Sequence, residues 1–347
     1  MNNIWWTRVP NARTLADRVS EDILSEQNLL LKHKLSLPWN EDFLEIITEK
    51  VVENSSSKSF DAINGVSSPG DFLLREYCKA EKRASFRPSI GYPKFFAESD
   101  DIVIHRKFFW VNLKNDDEIK SWIDFVKEYR SYRGKGKEQA VFVLDCTGEH
   151  LIQKPKGIKV IDTDEFINEY DKKIYATLIS GQLDEPTWLK SYLAELMCEI
   201  AGFDCELMDL IIEDYNEFLL NPYQALNEQL AMRPEYCDAI IDEKIAENSV
   251  WKAQIKIIYP LIEEYRKSFV EKHFTDIARN LPLEMGSGET FYQPQDVELG
   301  GLIYMMGTTD FRLSEREYSR LEAFKDARNV LSHLGILSWP EIEELMR

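Results

Sequence analysis

Cysteine and histidine are scarce, with five of each in 347 residues. Cys78, Cys146, Cys198, Cys205 and Cys237 form no Cys-x-x-Cys pair and have no neighbouring histidine, so neither a zinc cage nor a disulfide framework can be drawn from them. They are expected to be reduced cytoplasmic thiols. No His-x-x-x-His or Gly-x-Ser-x-Gly occurs, which removes the common zinc-peptidase and serine-hydrolase arrangements. Long apolar runs are missing as well: Asn28-Leu29-Leu30-Leu31 and the stretch 257–262 stop far short of the roughly 20 residues that span a bilayer. The opening Met1-Asn2-Asn3-Ile4-Trp5-Trp6-Thr7-Arg8 lacks an apolar signal core, so export is not expected. Nor is there an excess of positive charge. With 42 basic against 61 acidic side chains the formal charge is −19, which excludes a surface that coats nucleic acid by charge alone.

What is present is core material. Apolar residues make up 44% and aromatics 12%, enough to exclude disorder over the whole chain. The length exceeds what one hydrophobic core usually serves, so two domains are expected. The turn-forming Ser180-Gly181-Gln182-Leu183-Asp184-Glu185-Pro186 marks a boundary, giving domains 1–182 and 183–347.

The first domain alternates strand-like and helix-like segments. Asn28–Leu31 reads as a strand and Glu41–Val52 as a helix; Ile102-Val103-Ile104 and Phe108-Phe109-Trp110-Val111 follow as strand-like runs. An amphipathic helix over Asp116–Tyr132 then leads to strands at Ala140–Asp145 and Ile158–Ile161. Strands separated by helices imply an α/β layer with parallel pairing. Beyond Thr187 the period becomes helical: Trp251, Ile255, Ile258, Ile262, Tyr265 and Phe269 form one apolar stripe, and Pro260 is expected to start or kink that helix.

Val141-Phe142-Val143-Leu144-Asp145 is four apolar residues ending in an aspartate, which resembles the P-loop ATPase strand whose acid holds a magnesium-bound water. A buried strand reaching solvent would look the same. The phosphate loop that should accompany it, Gly-x-x-x-x-Gly-Lys-Ser/Thr, occurs nowhere; the first strand is followed instead by Lys32-His33-Lys34-Leu35-Ser36-Leu37-Pro38-Trp39. The expectation is a P-loop-like α/β domain without an intact phosphate loop and without ATP hydrolysis. His33, His105, His150 and His273 read as structural.

Two charge features compete for a binding role. The segment 127–137 carries five cations and one carboxylate, with Tyr129 and Tyr132 between them; it fits either a phosphate-backbone contact or a solvated helix end running into a glycine turn. The tract 195–247 holds 14 carboxylates against Arg233 and Lys244, and reads as solvated helix faces or as a site for a basic protein partner. Met285–Thr290 reads as a loop, and the helix opening at Pro294–Glu298 with the pair Gly300-Gly301 reads as helix packing.

The last long helix announces its start: Ser314 followed by Glu317 is a capping box. Counting from there, Leu321, Phe324 and Leu331 form a stripe into which Arg328 falls, while Asp326, Asn329 and His333 form a second line along which Asn329 or Asp326 would orient the imidazole. A guanidinium on an apolar stripe needs a carboxylate, an interface or an anionic ligand.

Ala327-Arg328-Asn329-Val330-Leu331-Ser332-His333-Leu334 resembles the Arg-Asn-x-x-x-His signature of HEPN domains, the higher-eukaryote and prokaryote nucleotide-binding helical bundles. The resemblance implies an all-α C-terminal bundle that pairs about a twofold axis, often cleaves RNA without a metal or other cofactor, and serves in prokaryotic antiphage defence or toxin–antitoxin systems. It assigns Arg328 and His333 to the motif positions and Asn329 to the polar residue between them. The residue types suit the chemistry: histidine moves protons near neutrality and arginine clamps phosphate. The rival expectation is a non-catalytic dimerisation or adaptor module, in which Arg328 beside Asp326 or Glu322 staples the bundle and the first domain docks a protein partner.

Overall fold

Buried aliphatic and aromatic residues run almost without interruption along three central strands, as expected of strands covered on both faces. These are β1 (Asn28–His33), β3 (Lys107–Leu113) and β4 (Val141–Thr147); β2 (Ser59–Asn64) and β5 (Ile158–Asp162) lie at the edges. The computed structural model describes residues 4–55, 58–134, 136–148, 155–202, 204–231 and 242–347, so His150, Cys237 and part of the acidic tract lie outside the described residues. The chain divides into two units, Met1–Asp171 and Lys172–Arg347.

The first unit is an α/β fold built on a five-stranded, wholly parallel sheet of order β2-β3-β4-β1-β5. The side-chain alternation of period two gives each strand two faces. One carries Leu30, Phe109, Val111, Phe142 and Leu144 and packs with Phe96, Trp122, Phe125 and Tyr129 of the helices Tyr92–Glu98 and Asp116–Arg133. The other carries Leu29, Leu31, Trp110 and Val143; Phe43 of the helix Asn40–Asn54 meets Trp110 edge-on, with ring centroids 5.8 Å apart. Each fully buried ring or Leu contributes about 1.5–3 kcal/mol. Ile102–Ile104 is not a strand: the chain enters a short 3-10 turn, Val103–Arg106, before β3.

The order places a topological switch. From β1 the chain runs to β2 at the far edge and works back through β3 to β4, beside β1; from β4 it leaves the other way, to β5. Connections out of β1 and β4 therefore diverge, and in open α/β sheets the crevice used for ligands lies at that carboxyl edge.

The second unit is mostly helical, with helices including Thr187–Ile200, Cys205–Glu213, Pro222–Ala231, Glu243–Lys272, Leu299–Thr308, Glu315–Ser332 and Trp339–Met346. It is not all-α. Leu283–Glu284 (β6) and Thr290–Phe291 (β7) pair antiparallel across a turn in which Met285 N–H donates to Glu289 O and Gly288 adopts φ +88°. Pro260 sits inside the 30-residue helix Glu243–Lys272 and does not begin it. No helix among the described residues is long and apolar enough to cross a membrane. Cys78, Cys146, Cys198 and Cys205 are free and buried. Burial pushes the Cys146 and Cys198 thiols up to about 12.

Candidate functional site

The helix Glu315–Ser332 begins at the capping box that its sequence announces: Glu317 N–H donates to Ser314 Oγ and Ser314 N–H to Glu317 Oε2. Leu321, Phe324, Ala327 and Leu331 bury one face, Phe324 stacking on Tyr265 with centroids 3.8 Å apart. Packing therefore fixes how the motif residues are turned.

Arg328 is half-buried and held by two carboxylates: Nε lies 3.4 Å from Glu263 Oε1 and Nη2 lies 3.1 Å from Glu298 Oε1. Its partners are thus on the long central helix and at the N-cap of Leu299–Thr308, not Asp326 or Glu322. Asp326 pairs with Lys325, at 2.8 Å. Arg328 Nε is sealed from solvent and makes no hydrogen bond among the described residues. Asn329 and His333 are both exposed, one turn apart. His333 is the C-cap residue, its backbone N–H donating to Asn329 O and Val330 O. No hydrogen bond from Asn329 or Asp326 orients the imidazole among the described residues, and five residues of α-helix turn Arg328 and His333 roughly 140° apart. Within one chain, then, Asn329 and His333 come together while Arg328 faces its carboxylates.

The turn after His333 is a Schellman closure, with Gly335 N–H donating to Val330 O at 2.9 Å. Leu334 occupies the left-handed position at φ +65° with its side chain in water. Gly335 follows because a Cβ there would sit 2.9 Å from Val330 Cγ1.

At the carboxyl edge of the sheet the structure builds a second constellation. His33, at the end of β1, places Nε2 2.5 Å from Asp145 Oδ1 on β4 and 3.2 Å from Thr147 Oγ1. Trp110 Nε1 donates to Asp145 Oδ2 at 2.8 Å. Both His33 and Asp145 are buried, and His33 Nδ1 has no hydrogen-bond partner among the described residues. A hydrogen on Nε2 satisfies the carboxylate and leaves only a lone pair unmatched at Nδ1. Asp145 does not meet solvent, as an ordinary strand end would. The loop after β1, where a phosphate cradle would form, is occupied by indoles: Trp6 Nε1 donates to Pro38 O and Trp39 O, and Trp6 stacks on Phe43.

No protein-family model matches the chain, and no curated protein does. Among solved structures it is similar to RIF2 of Saccharomyces cerevisiae at 12% identity, covering 66% of this chain and 90% of that one, with a TM-score of 0.29. A likeness at that score carries no conclusion about fold or activity.

Residues 127–133 of the basic segment are a helix end: Asp116–Arg133 stops at Gly134, φ +71°. Tyr129 is buried, accepting from Ala140 N–H and bonded to His105 Nδ1, and Arg133 donates to Ala97 O and Glu138 O while pairing with Asp100. Burial lowers the His105 pKa, in keeping with a core imidazole. Part of the acidic tract is structural too. Glu195 pairs with Lys173 and Lys256, and Glu199 with Lys252 and Lys256.

Proposed function

We propose that the Lys172–Arg347 unit is a HEPN-type bundle that cleaves RNA without a metal and works as a homodimer. The observation that carries this reading is the exposed end of the helix Glu315–Ser332, where Asn329 and His333 stand one turn apart in solvent with Arg328 on the flank. In the proposed reaction one histidine removes the 2′-OH proton, the oxygen attacks the adjacent phosphorus, and the 5′-oxygen departs with a proton from the second copy's histidine. The products are a 2′,3′-cyclic phosphate and a 5′-hydroxyl. Arg328 stabilises the charge gathering on the phosphate, trading Glu263 and Glu298 for the substrate. A role in prokaryotic defence or as a toxin follows from the family resemblance alone. The α/β unit is proposed to be P-loop-like and inactive toward ATP, because Trp6, Trp39 and Phe43 fill the loop region and Asp145 is tied to His33 and Trp110.

The two ion pairs of Arg328 favour a second reading, a non-catalytic dimerisation or adaptor module in which this arginine staples three helical segments. Arg328→Ala and His333→Ala separate the two. Loss of RNA cleavage with unchanged circular dichroism and dimer mass supports the enzyme; loss of assembly alone supports the adaptor.

A further inference from the structure

The helical unit contains a cleft of about 470 Å³ between the turn that opens the helix Pro222–Ala231, the start of Glu243–Lys272 and the segment 336–342. Its walls are Leu219, Val250, Leu337 and Trp339, and three large apolar side chains at its edge stand in water: Leu220 is 48% exposed, Tyr223 38% and Ile336 40%. The polar group on its floor is already satisfied. Gln254, buried, accepts from Leu337 N–H and donates to Leu337 O. The cleft therefore offers apolar contact rather than unmet hydrogen bonds.

Its charge is one-sided. Glu243, Glu247 and Glu341 line it, and no lysine or arginine does among the described residues. Glu341 is engaged by the Ser338 cap; Glu243 and Glu247 make no ion pair among the described residues. These carboxylates exclude phosphate-bearing occupants, since both RNA and an anionic membrane surface would be repelled. Among the described residues no strand borders the cleft, so an added strand would find no described strand edge to pair with.

We propose that this cleft docks a cationic amphipathic helix of a partner protein, with apolar anchors at i, i+3 or i+4, and i+7 against Leu220, Tyr223 and Ile336, and lysine or arginine beside Glu243 and Glu247. Ile336 lies three residues beyond His333, so the cleft adjoins the end of the helix Glu315–Ser332, but docking there is read by peptide binding without RNA and does not depend on cleavage.

The test is fluorescence anisotropy of the full chain with a labelled 18-residue peptide of leucines at those spacings and lysines elsewhere, beside its glutamate counterpart. The lysine peptide is expected to bind at least tenfold more tightly than the glutamate one. Glu247→Lys and, independently, Tyr223→Asp should each weaken it at least tenfold, both at exposed positions and with folding checked by thermal melting. The reversal Glu165→Lys, at an exposed position of the Met1–Asp171 unit, should leave binding unchanged. Failure of the lysine peptide to bind, equal loss with Glu165→Lys, or indifference to both cleft variants would overturn the proposal.

Discussion

His33 and Asp145, 112 residues apart in sequence, meet 2.5 Å apart under the carboxyl edge of the sheet, with Trp110 donating to the same carboxylate. The acid that resembles a magnesium ligand is thereby a buried strand-to-strand tie. Removing Asp145 takes the carboxylate acceptor from two buried donors, His33 Nε2–H and Trp110 Nε1–H, each at a cost of about 1–3 kcal/mol. Asp145→Ala should lower stability by about the two costs together in urea unfolding of the full chain. The double variant His33→Leu/Asp145→Leu should cost clearly less than the sum of the single changes.

Arg328 gives a prediction with two separable readouts. Its ion pairs are partly exposed, so Arg328→Ala should cost only about 1 kcal/mol. Glu263→Gln combined with Glu298→Gln frees the guanidinium for phosphate. RNA affinity, read by filter binding, should rise about threefold or more if Arg328 is a phosphate clamp. A fall in melting temperature with unchanged affinity would instead fit a staple.

Leu334 holds φ +65° with its side chain 74% exposed, so it bears the left-handed strain without burying anything. Leu334→Gly should stabilise the chain by about 1 kcal/mol. Gly335→Ala should do the opposite, since the added Cβ meets Val330. Thermal melts of the two variants check both signs.

Glu317 carries a pH dependence. The Lys272 ammonium, followed by the Ser314 hydroxyl, holds its carboxyl down at about 2, against an ordinary value of 4.5. A lowered folded-state pKa gives stability that is fully present above about 4.5 and disappears as pH falls toward 2. The stability difference between wild type and Glu317→Gln, followed by urea unfolding across pH, should be constant above pH 5 and shrink steadily below it.

The legible parts of the fold were those whose signal is local. β1, β3, β4 and β5 are apolar runs, the helix Asp116–Arg133 is periodic, and Ser314 with Glu317 marks a helix start within four residues. β2 escaped because it is an edge strand with a mostly solvated Ser-Phe-Asp-Ala-Ile-Asn, and Ile102–Ile104 misled because a buried 3-10 turn is as apolar as a strand. Arg328, Asn329 and His333 stand out in the sequence by their spacing, but the partners of Arg328 do not. Local spacing pointed to Asp326 and Glu322, whereas tertiary packing supplies Glu263 and Glu298. His33 was invisible as a partner of Asp145 for the same reason: only the parallel register of β1 and β4 brings them together.

The central claim is decided by the ends of cut RNA. Purified full-length protein incubated with a labelled single-stranded RNA in excess EDTA near pH 7 should yield 2′,3′-cyclic phosphate and 5′-hydroxyl termini by mass spectrometry, with His333→Ala abolishing them. RNA left intact by a folded dimer, or cut with equal efficiency by the His333→Ala protein, would contradict it.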